Sequence, residues 1–323
     1  MQKHHAQYLS KSTLWDKKAG VRSSEITFDL ELEPDDSERQ ESWHLPSYSA
    51  ILNHPDLALL TRDQQEFIKG TQLLEFVTKQ TAFEIDCVNY VAAKIAHNKM
   101  AFDFSDNLRL DALKIYTDEG YHAYYTQKVA NQIRTHYGIG EDSVLQYVKP
   151  FYEKLNALFG KFGSKYDDLS RLGLVIVGEC QIVSDISEEM KQIVYEPIRQ
   201  MFREHMADEV FHAKFFSVIF QELWPQLDSE QQYVLAHSMN DAMILLSSPR
   251  TDIYYFSFSK LGYSESQIRK LIGDVYESDA WTIDRIRDRV KPTLSLMTSV
   301  GVFANKKCRE IFEGSQLLPE VFN

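Results

Sequence analysis

Two short motifs in this 323-residue sequence combine acidic side chains with histidine at a fixed spacing. Residues 118–123 read D-E-G-Y-H-A and residues 208–213 read D-E-V-F-H-A, so both follow the pattern D-E-x-x-H-A. In an α-helix the Glu and the His of this pattern are three residues apart and lie on one face. Both side chains can then reach the same metal ion. Two such helices in one bundle supply half of the ligands of a dinuclear metal site.

An isolated glutamate precedes each motif, in a segment rich in apolar residues. Glu84 lies in A-F-E-I-D-C-V, 35 residues before Glu119, and Glu179 lies in L-V-I-V-G-E-C-Q-I-V, 30 residues before Glu209. Burying a bare carboxylate there is costly, whereas a metal ion compensates for the charge. These two glutamates are therefore predicted to complete the carboxylate set. Glu188 and Glu189 are alternatives to Glu179, but their polar surroundings are typical of a solvated helix end.

A third histidine belongs to the same helix face as the second motif. His205 precedes Glu209 by four residues and His212 by seven, so the three side chains lie within about 60° of one another around a helix. Carboxylates combined with imidazoles suit iron or manganese better than Cu(I) or structural zinc. The predicted metal ligands are Glu84, Glu119, His122, Glu179, His205, Glu209 and His212.

Residues next to these ligands are predicted to support them. Asp118 and Asp208 each precede a ligand glutamate and lie about 100° around the helix from it. We expect each to accept the free ring N–H of a histidine on the opposing helix. Gly120 and Gly178 adjoin ligand glutamates inside helices, where glycine is unfavourable, which indicates close helix approach or room for a ligand. An apolar cavity lining is expected from Val175, Ile176, Val183, Met201, Phe202 and Phe216.

The elements that must position these residues are predicted to be helices. The chain has 13 Gly and 9 Pro, without Asn-Gly or Asp-Gly hairpin signals, and apolar residues recur at helical spacing. Pro197 suits the first turn of a helix. The expected fold class is all-α, a bundle of long helices with short connections. The predicted helices span about 61–100, 107–137, 143–160, 165–191, 197–222, 229–247, 264–275 and 277–302.

Two regions are predicted along the chain. Residues 1–50 form an irregular N-terminal arm, parts of which dock on the body through Trp15, Trp43 and Tyr48. Residues 51–323 form a single helical domain with its metal-binding core at about 70–225. The part from 226 to 323 is expected to complete the bundle and to offer a surface for a homodimer, without a more specific assignment.

Composition excludes several classes of function. Asp and Glu number 47 against 35 Lys and Arg, a net charge of −12, and such a surface repels nucleic acid and anionic membranes. Three cysteines far apart exclude a disulfide scaffold and fit a reducing cytoplasm. Neither a signal peptide nor a membrane-spanning apolar run is apparent. We therefore expect a cytoplasmic protein without nucleic-acid or membrane partners.

The order of the predicted ligands resembles a known family. Glu, then Glu-x-x-His, then Glu, then His-x-x-x-Glu-x-x-His, over residues 70–225, is similar to the ferritin-like di-iron oxygenases of the p-aminobenzoate N-oxygenase type. His205 matches the histidine that distinguishes this family. The resemblance implies a ferritin-like four-helix bundle core with additional helices and two iron ions, with manganese as the alternative. It also implies O₂, an external electron donor and an aryl or amino-acid-like amine that is oxidised at nitrogen in natural-product biosynthesis.

Other ferritin-like di-iron proteins remain alternatives. They include C–H hydroxylases, desaturases, radical-generating subunits and non-enzymatic metal-binding proteins. A radical subunit commonly has a tyrosine four residues after the first motif histidine, where this chain has Thr126, and Tyr124 and Tyr125 are expected to point elsewhere. The length and the extra helices argue against iron storage. Candidates to bind a substrate carboxylate are Arg134, Arg171, Arg199 and Arg203.

Overall fold

The computed structural model describes residues 14–30, 49–100, 102–191, 193, 195–277 and 283–318. Helices dominate these residues, and none of them forms a β-strand, which confirms the predicted all-α class. The α-helices within these ranges are α1 Trp15–Lys18, α2 Gly20–Ser23, α3 Arg62–Phe83, α4 Asn89–Ala96, α5 Asp106–Tyr137, α6 Glu141–Gly160, α7 Asp167–Met190, α8 Glu196–Leu223, α9 Ser229–Ser247, α10 Asp252–Lys260, α11 Glu265–Tyr276, α12 Ile283–Val300 and α13 Lys306–Gly314.

Four long helical rods form the ferritin-like bundle at the centre of the protein. The first is α3 continued by a π-helical turn at Glu84–Val88 and by α4, and it packs along α5. The other pair is α7 and α8, which pack along each other, and α5 also contacts α8. Helix α9 covers α7, while α10 packs on α3 and α6. The bundle that the sequence predicts is therefore the core, and the additional helices surround it.

Local sequence signals define the ends of the bundle helices. Thr61 and Gln64 form a capping box at the start of α3, each side chain accepting a backbone N–H of the other residue. Ser105 caps α5 by accepting the Leu108 N–H, and Gly138 ends that helix in the left-handed conformation at φ 60°. Pro197 lies in the first turn of α8, as predicted. These signals fix where the helices begin and end, and therefore at which level of the bundle the motif residues of α5 and α8 lie.

The sequence predicts one continuous helix at about 61–100, but the structure interrupts this helix. Glu84–Val88 form a π-helical turn, which accommodates one residue more than an α-helical turn. As a result Glu84 and Cys87 are both buried, while Ile85 between them is 47% exposed. Periodicity does not reveal such a turn, because the apolar pattern on either side remains helical. π-Helical turns within α-helices occur frequently at functional sites.

Four of the described helices are not predicted from the sequence: the four-residue helices α1 and α2 in the N-terminal arm, and α10 and α13. Helix α10 contains I-Y-Y-F-S-F-S, whose aromatic and serine residues have low helix propensity, and its burial stabilises it instead. Helix α13 is short and follows a 3₁₀ turn at Val302–Ala304. The predicted helix at 277–302 corresponds to α12, and residues 278–282 at its predicted start lie outside the described residues.

Two apolar cores lie at different levels of the bundle, and each rod passes from one to the other. On α5, Ile115 belongs to one core and Tyr125 to the second; on α8, Phe215 and Phe202 are divided in the same way. On the first rod, the apolar residues before and after the buried Glu84 belong to different cores. The same is true of α7 before and after the buried Glu179. The stretch between the two cores is the level at which all four rods carry polar side chains.

The described part of the N-terminal arm, residues 14–30, docks on the bundle. Its helix α2 contacts α5 and α8, and Trp15 forms side-chain contacts with α5, as predicted. The predicted docking residues Trp43 and Tyr48 lie outside the described residues. None of the described helices combines the length and the apolar character needed to cross a lipid bilayer.

Candidate metal centre

All seven predicted ligands lie between the two apolar cores, and none is more than 3% exposed. Each rod contributes at least one of them, at the level where it changes core. The contributions are Glu84 from the π-helical turn, Glu119 and His122 from α5, Glu179 from α7, and His205, Glu209 and His212 from α8. The structure therefore brings the whole predicted set together.

One half of the cluster contains two histidines. The Nε2 atom of His205 lies 3.2 Å from Glu84 Oε1 and 2.8 Å from Glu209 Oε1. The Nδ1 atom of His122 lies 3.3 Å from Glu209 Oε1 and 3.5 Å from Glu119 Oε2. One ligand atom from each of Glu84, His122, His205 and Glu209 can be chosen so that all four lie within 4.8 Å of one another. A single cation can be surrounded by these four side chains.

The other half is centred on His212, and one ligand atom from each of Glu119, His122, Glu209 and His212 can again be chosen within 4.8 Å of the others, so His122 borders both halves. The Nδ1 atom of His212 lies 2.8 Å from Glu119 Oε1, 3.5 Å from Glu209 Oε2 and 3.7 Å from Glu179 Oε2. Glu119 and Glu209 thus present one carboxylate oxygen to each half of the cluster. This is the arrangement that two carboxylates bridging two cations require.

The hydrogen-bonding of the cluster is incomplete in a way that fits metal ions. Buried polar atoms normally have a hydrogen-bond partner. Here the ring nitrogens and carboxylate oxygens that face the middle of the cluster lack one, although they lie close together. Lone pairs directed at a common point are what a bound cation would satisfy. The atoms are Glu84 Oε2, Glu119 Oε1 and Oε2, His122 Nδ1, Glu179 Oε2, His205 Nε2, Glu209 Oε2 and His212 Nδ1; His205 Nδ1, on the other side of its ring from Nε2, also lacks a partner.

The negative charges within the cluster also favour bound cations. Burial, together with the charges of Glu209 and Glu119, raises the pKa of Glu179 well above its ordinary value. Burial also acts to raise the pKa of Glu209, but His212 and the other two histidines hold that pKa well below its ordinary value. Carboxylates this close together repel one another unless positive charge lies between them. Two divalent ions would supply that charge.

Two aspartates orient the histidines across the bundle. Asp208 Oδ2 on α8 lies 3.2 Å from Nε2 of His122 on α5, and Asp118 Oδ2 on α5 lies 3.3 Å from Nε2 of His212 on α8. An Nε2–H donated to aspartate leaves the Nδ1 lone pair for a metal ion. Each D-E-x-x-H-A motif therefore supplies its aspartate to the histidine of the other motif.

The pattern of the family described as P-aminobenzoate N-oxygenase AurF matches residues 2–301, which include every predicted ligand and both aspartates. The chain belongs to this family. Among curated proteins no relative matches it. The family assigns the protein to the oxygenases, as the sequence predicts.

A cleft connects the centre of this N-oxygenase family member to solvent. The cleft is narrow, with a volume of about 50 Å³, and Glu179 lies on its wall. Lys79 and Arg250 also line it, and their cationic groups lie 5.1 Å and 5.5 Å from the ring centroids of Phe151 and Phe76. Aromatic rings with cationic groups suit an aromatic anion.

The sequence reading missed these two cleft residues. It proposed Arg134, Arg171, Arg199 and Arg203 as carboxylate-binding residues, and none of the four lines this cleft. Arg171 pairs with Asp167 within its own helix, while Arg199 and Arg203 both pair with Glu196. Lys79 precedes Glu84 by five residues on the same rod, a spacing that was available in the sequence. Arg250 lies in the α9–α10 connection, and only the fold brings it to the cleft.

The predicted cavity lining was wrong for this cleft. None of Val175, Ile176, Val183, Met201, Phe202 and Phe216 borders it, and all except Val183 are buried. The lining comes from Phe76, Phe83 and Phe151 instead, together with Ile182 and Leu246. The sequence reading considered residues one turn from a ligand, whereas the cleft opens between α3, α6 and α7.

The two glycines beside ligand glutamates have different surroundings. A Cβ at Gly178 would lie 2.5 Å from Cζ of Phe83, so the ring of Phe83 packs directly on the α7 backbone. No atom lies within 4 Å of a Cβ built at Gly120. Close helix approach, one of the two explanations predicted for these glycines, therefore holds at Gly178, whereas Gly120 is exposed and has open space beside it.

Tyr125 was expected to point away from the site, and that prediction was wrong. Its side chain is fully buried, with ring centroids 5.6 Å from His122 and 5.9 Å from His205, and its hydroxyl has no hydrogen-bond partner. Tyr124 is 59% exposed and does point outward. Thr126 donates its hydroxyl to the His122 carbonyl. The inward position is explained by the helix, because Tyr125 is three residues after His122 and shares its face.

Proposed function

We propose that this chain is a di-iron oxygenase that uses O₂ to oxidise the nitrogen of an amine. The observation that carries the proposal is the buried cluster of four glutamates and three histidines whose inward-facing atoms lack hydrogen-bond partners. Membership of the p-aminobenzoate N-oxygenase family supports the reaction type. Hard carboxylates with imidazoles favour iron, with manganese as the alternative.

The seven side chains would hold two ions unequally. Glu84, His122 and His205 belong to one position, and Glu179 and His212 belong to the other. Glu119 and Glu209 would be shared between them. Each position has one carboxylate of its own, but one has two imidazoles and the other has one, so the two ions would differ in electron density and in the ligands that they accept.

Bound iron would activate O₂ and relay to it the electrons that come from the external donor and the substrate. The protein supplies orientation and exclusion of water. Asp118 and Asp208 hold protons on the Nε2 atoms of His212 and His122, which keeps the Nδ1 lone pairs directed inward. The two apolar cores above and below the cluster exclude water from it and strengthen electrostatic interactions inside.

The substrate is proposed to be an aromatic amine that carries a carboxylate and enters through the cleft beside Glu179. Phe76, Phe83 and Phe151 would contact the ring, and Arg250 would bind the carboxylate at the outer end. Lys79 forms a buried ion pair with Glu75 at 2.5 Å. Arg250 lines the same cleft and is the residue proposed to contact the carboxylate. An amino-acid-like amine would satisfy the same groups.

The test is to load purified protein with Fe(II), measure iron per chain, and admit O₂ with p-aminobenzoate and an electron donor. We expect two irons per chain and products heavier than the substrate by oxygen atoms that derive from ¹⁸O₂. Two irons without an oxidised amine would contradict the proposed reaction. Failure to bind iron would contradict the proposed metal centre.

A radical-generating subunit is the second candidate, and Tyr125 is the observation that favours it. Its buried phenol lies beside two candidate iron ligands, although it is three residues after His122 and not at the four-residue spacing common in such subunits. A tyrosyl radical signal in electron paramagnetic resonance after exposure to O₂, absent in Tyr125→Phe, would support this alternative. Amine oxidation by Tyr125→Phe at the rate of the unmodified protein would exclude a required radical.

A further inference from the structure

The N-terminal segment 14–30, here called the clasp, lies across helices α5 and α8 on the outside of the bundle. Its far end is anchored to α5. The Leu30 N–H donates to Gln132 Oε1 at 2.7 Å, and Gln132 Nε2 donates to the Phe28 carbonyl at 2.9 Å. The ring of Phe28 stacks on Tyr125 with centroids 4.5 Å apart. The clasp is thus docked along its length, and its other end reaches the two aspartates.

Trp15 is bound to the aspartate that holds His212. Its indole Nε1–H lies 2.9 Å from Oδ1 and 2.8 Å from Oδ2 of Asp118, so one donor is shared by both carboxylate oxygens. Asp118 is fully buried, and its Oδ2 also lies 3.3 Å from His212 Nε2. The chain of contacts therefore runs from the indole through the carboxylate to a candidate metal ligand.

Gly20 makes the equivalent contact with the second aspartate. Its backbone N–H lies 3.3 Å from Oδ1 and 3.1 Å from Oδ2 of Asp208, whose Oδ2 lies 3.2 Å from His122 Nε2. A Cβ at position 20 would lie 2.9 Å from Asp208 Oδ2. Any larger residue would therefore displace the same oxygen that accepts from His122.

We propose that the clasp positions both metal-facing histidines, with Trp15 and Gly20 as its positioning residues; this inference rests on the proposed function. Each aspartate has two oxygens and is held from two sides, by a histidine of the opposing helix and by the clasp. Groups that hold a ligand's hydrogen-bond partner set the direction of the ligand lone pair, and losing such partners weakens metal binding. Trp15 acts on the position of His212 and Gly20 on that of His122.

Two substitutions test the Trp15 contact and the Gly20 contact separately. Trp15→Phe removes the indole N–H and keeps an aromatic ring, and Gly20→Ala adds the methyl group that meets Asp208. Matched controls are Trp224→Phe, which removes a buried indole outside the cluster, and Gly160→Ala, where a Cβ would have no neighbour within 4 Å.

The probe is Co(II), whose visible absorption reports ligand geometry, titrated into metal-free protein. His205→Ala identifies the absorption that belongs to the ion beside His122.

We expect Trp15→Phe to weaken the ion held by His212 about tenfold and to alter its absorption, and Gly20→Ala to do the same for the ion held by His122. Both controls should bind two ions with unchanged spectra, even if they unfold at lower temperature. If the docked clasp strengthens metal binding, then metal binding must strengthen the docking of the clasp to the same extent. Hydrogen exchange at the Gly20 amide should therefore be slower in the Co(II)-loaded protein than in the metal-free protein.

Equal affinities and spectra for both variants and the unmodified protein would overturn the inference and leave the metal centre intact. An equal loss at both ions, matched by the controls, would also overturn it, because general destabilisation would then explain the result. Failure of the unmodified protein to bind Co(II) would contradict the proposed metal centre, and the inference with it.

Discussion

Among the single residues of the centre, the aspartate of each D-E-x-x-H-A motif holds the histidine of the other motif. Asp118 and Asp208 are exchanged between helices, so that each histidine depends on the position of the opposite rod. Glu119 and Glu209 divide their oxygens between the two halves. His205 has no counterpart on α5 and makes one half richer in nitrogen. The single-residue predictions concern this asymmetry and the cleft.

Replacing His205 with Ala should affect one ion more than the other. The His205 ring faces Glu84 and Glu209, and its removal leaves that half with one imidazole. We expect iron or Co(II) affinity to fall at least tenfold at one position and to change little at the other. Calorimetric titration of metal-free protein measures both. His237→Ala on α9 is the control, and uniform weakening of both ions would contradict the proposed division.

Replacing Arg250 with Ala should impair binding of substrates that carry a carboxylate. Losing a hydrogen bond to a charged group costs about 1.5–3 kcal/mol, equivalent to about 10- to 150-fold in affinity. We expect KM for p-aminobenzoate to rise within this range while kcat changes little. Arg199→Ala, at a pair on the surface of α8, is the control. An equal KM for the two variants would show that the carboxylate binds elsewhere.

At the scale of elements, the interfaces between rods determine where the ligands lie. The π-helical turn at Glu84–Val88 buries Glu84 and Cys87 within one short segment. Phe83, just before that turn, rests on the backbone of α7 at Gly178, and Glu179 follows Gly178. One contact between α3 and α7 therefore fixes the separation of two candidate ligands. The prediction at this scale tests that contact.

Gly178→Ala should destabilise the protein and disturb the centre together. The new Cβ would lie 2.5 Å from the Phe83 ring, so the ring must move or the helices must separate. Inserting a methyl group into a well-packed interface costs about 1–3 kcal/mol. Urea unfolding of metal-free protein measures the loss. Gly160→Ala should be neutral or slightly stabilising; an equal result for both variants would mean that the interface adapts without strain.

At the scale of the whole molecule, a layer of charge separates two apolar cores. Every rod crosses from one core to the other at its glutamate or motif. Packing stabilises the regions on both sides, whereas the layer itself contains clustered carboxylates that repel one another in the absence of cations. Metal binding and folding are therefore expected to be coupled.

Removing metal should lower the stability of the native protein. A ligand that binds only the folded state adds about 2.7 kcal/mol of stability at a free concentration of 100 Kd. We expect the Tm of metal-free protein to rise by several degrees with Fe(II) under anaerobic conditions, and chelator to reverse this. A His205→Ala/His212→Ala double variant should show little response. An equal response in that variant would indicate binding elsewhere.

The seven side chains of the buried cluster could be identified from the amino-acid sequence alone. The two D-E-x-x-H-A motifs, the upstream glutamates and His205 could be read from helical spacing, because ligands on one helix face are neighbours in sequence at three- and four-residue intervals. The all-α class followed from the same periodicity. The family match agrees with both. Helices α10 and α13 escaped prediction, since burial rather than intrinsic propensity stabilises α10 and α13 is short.

Contacts between residues on different elements could not be predicted from the sequence and are seen in the folded structure. The division of the ligands into two halves, the inward position of Tyr125 and the cleft with Arg250 depend on packing between rods. The contacts of Trp15 and Gly20 with aspartates more than 100 residues away are of the same kind. Helical periodicity relates residues within one helix, whereas contacts between helices depend on the register and rotation of each pair, which side-chain packing sets.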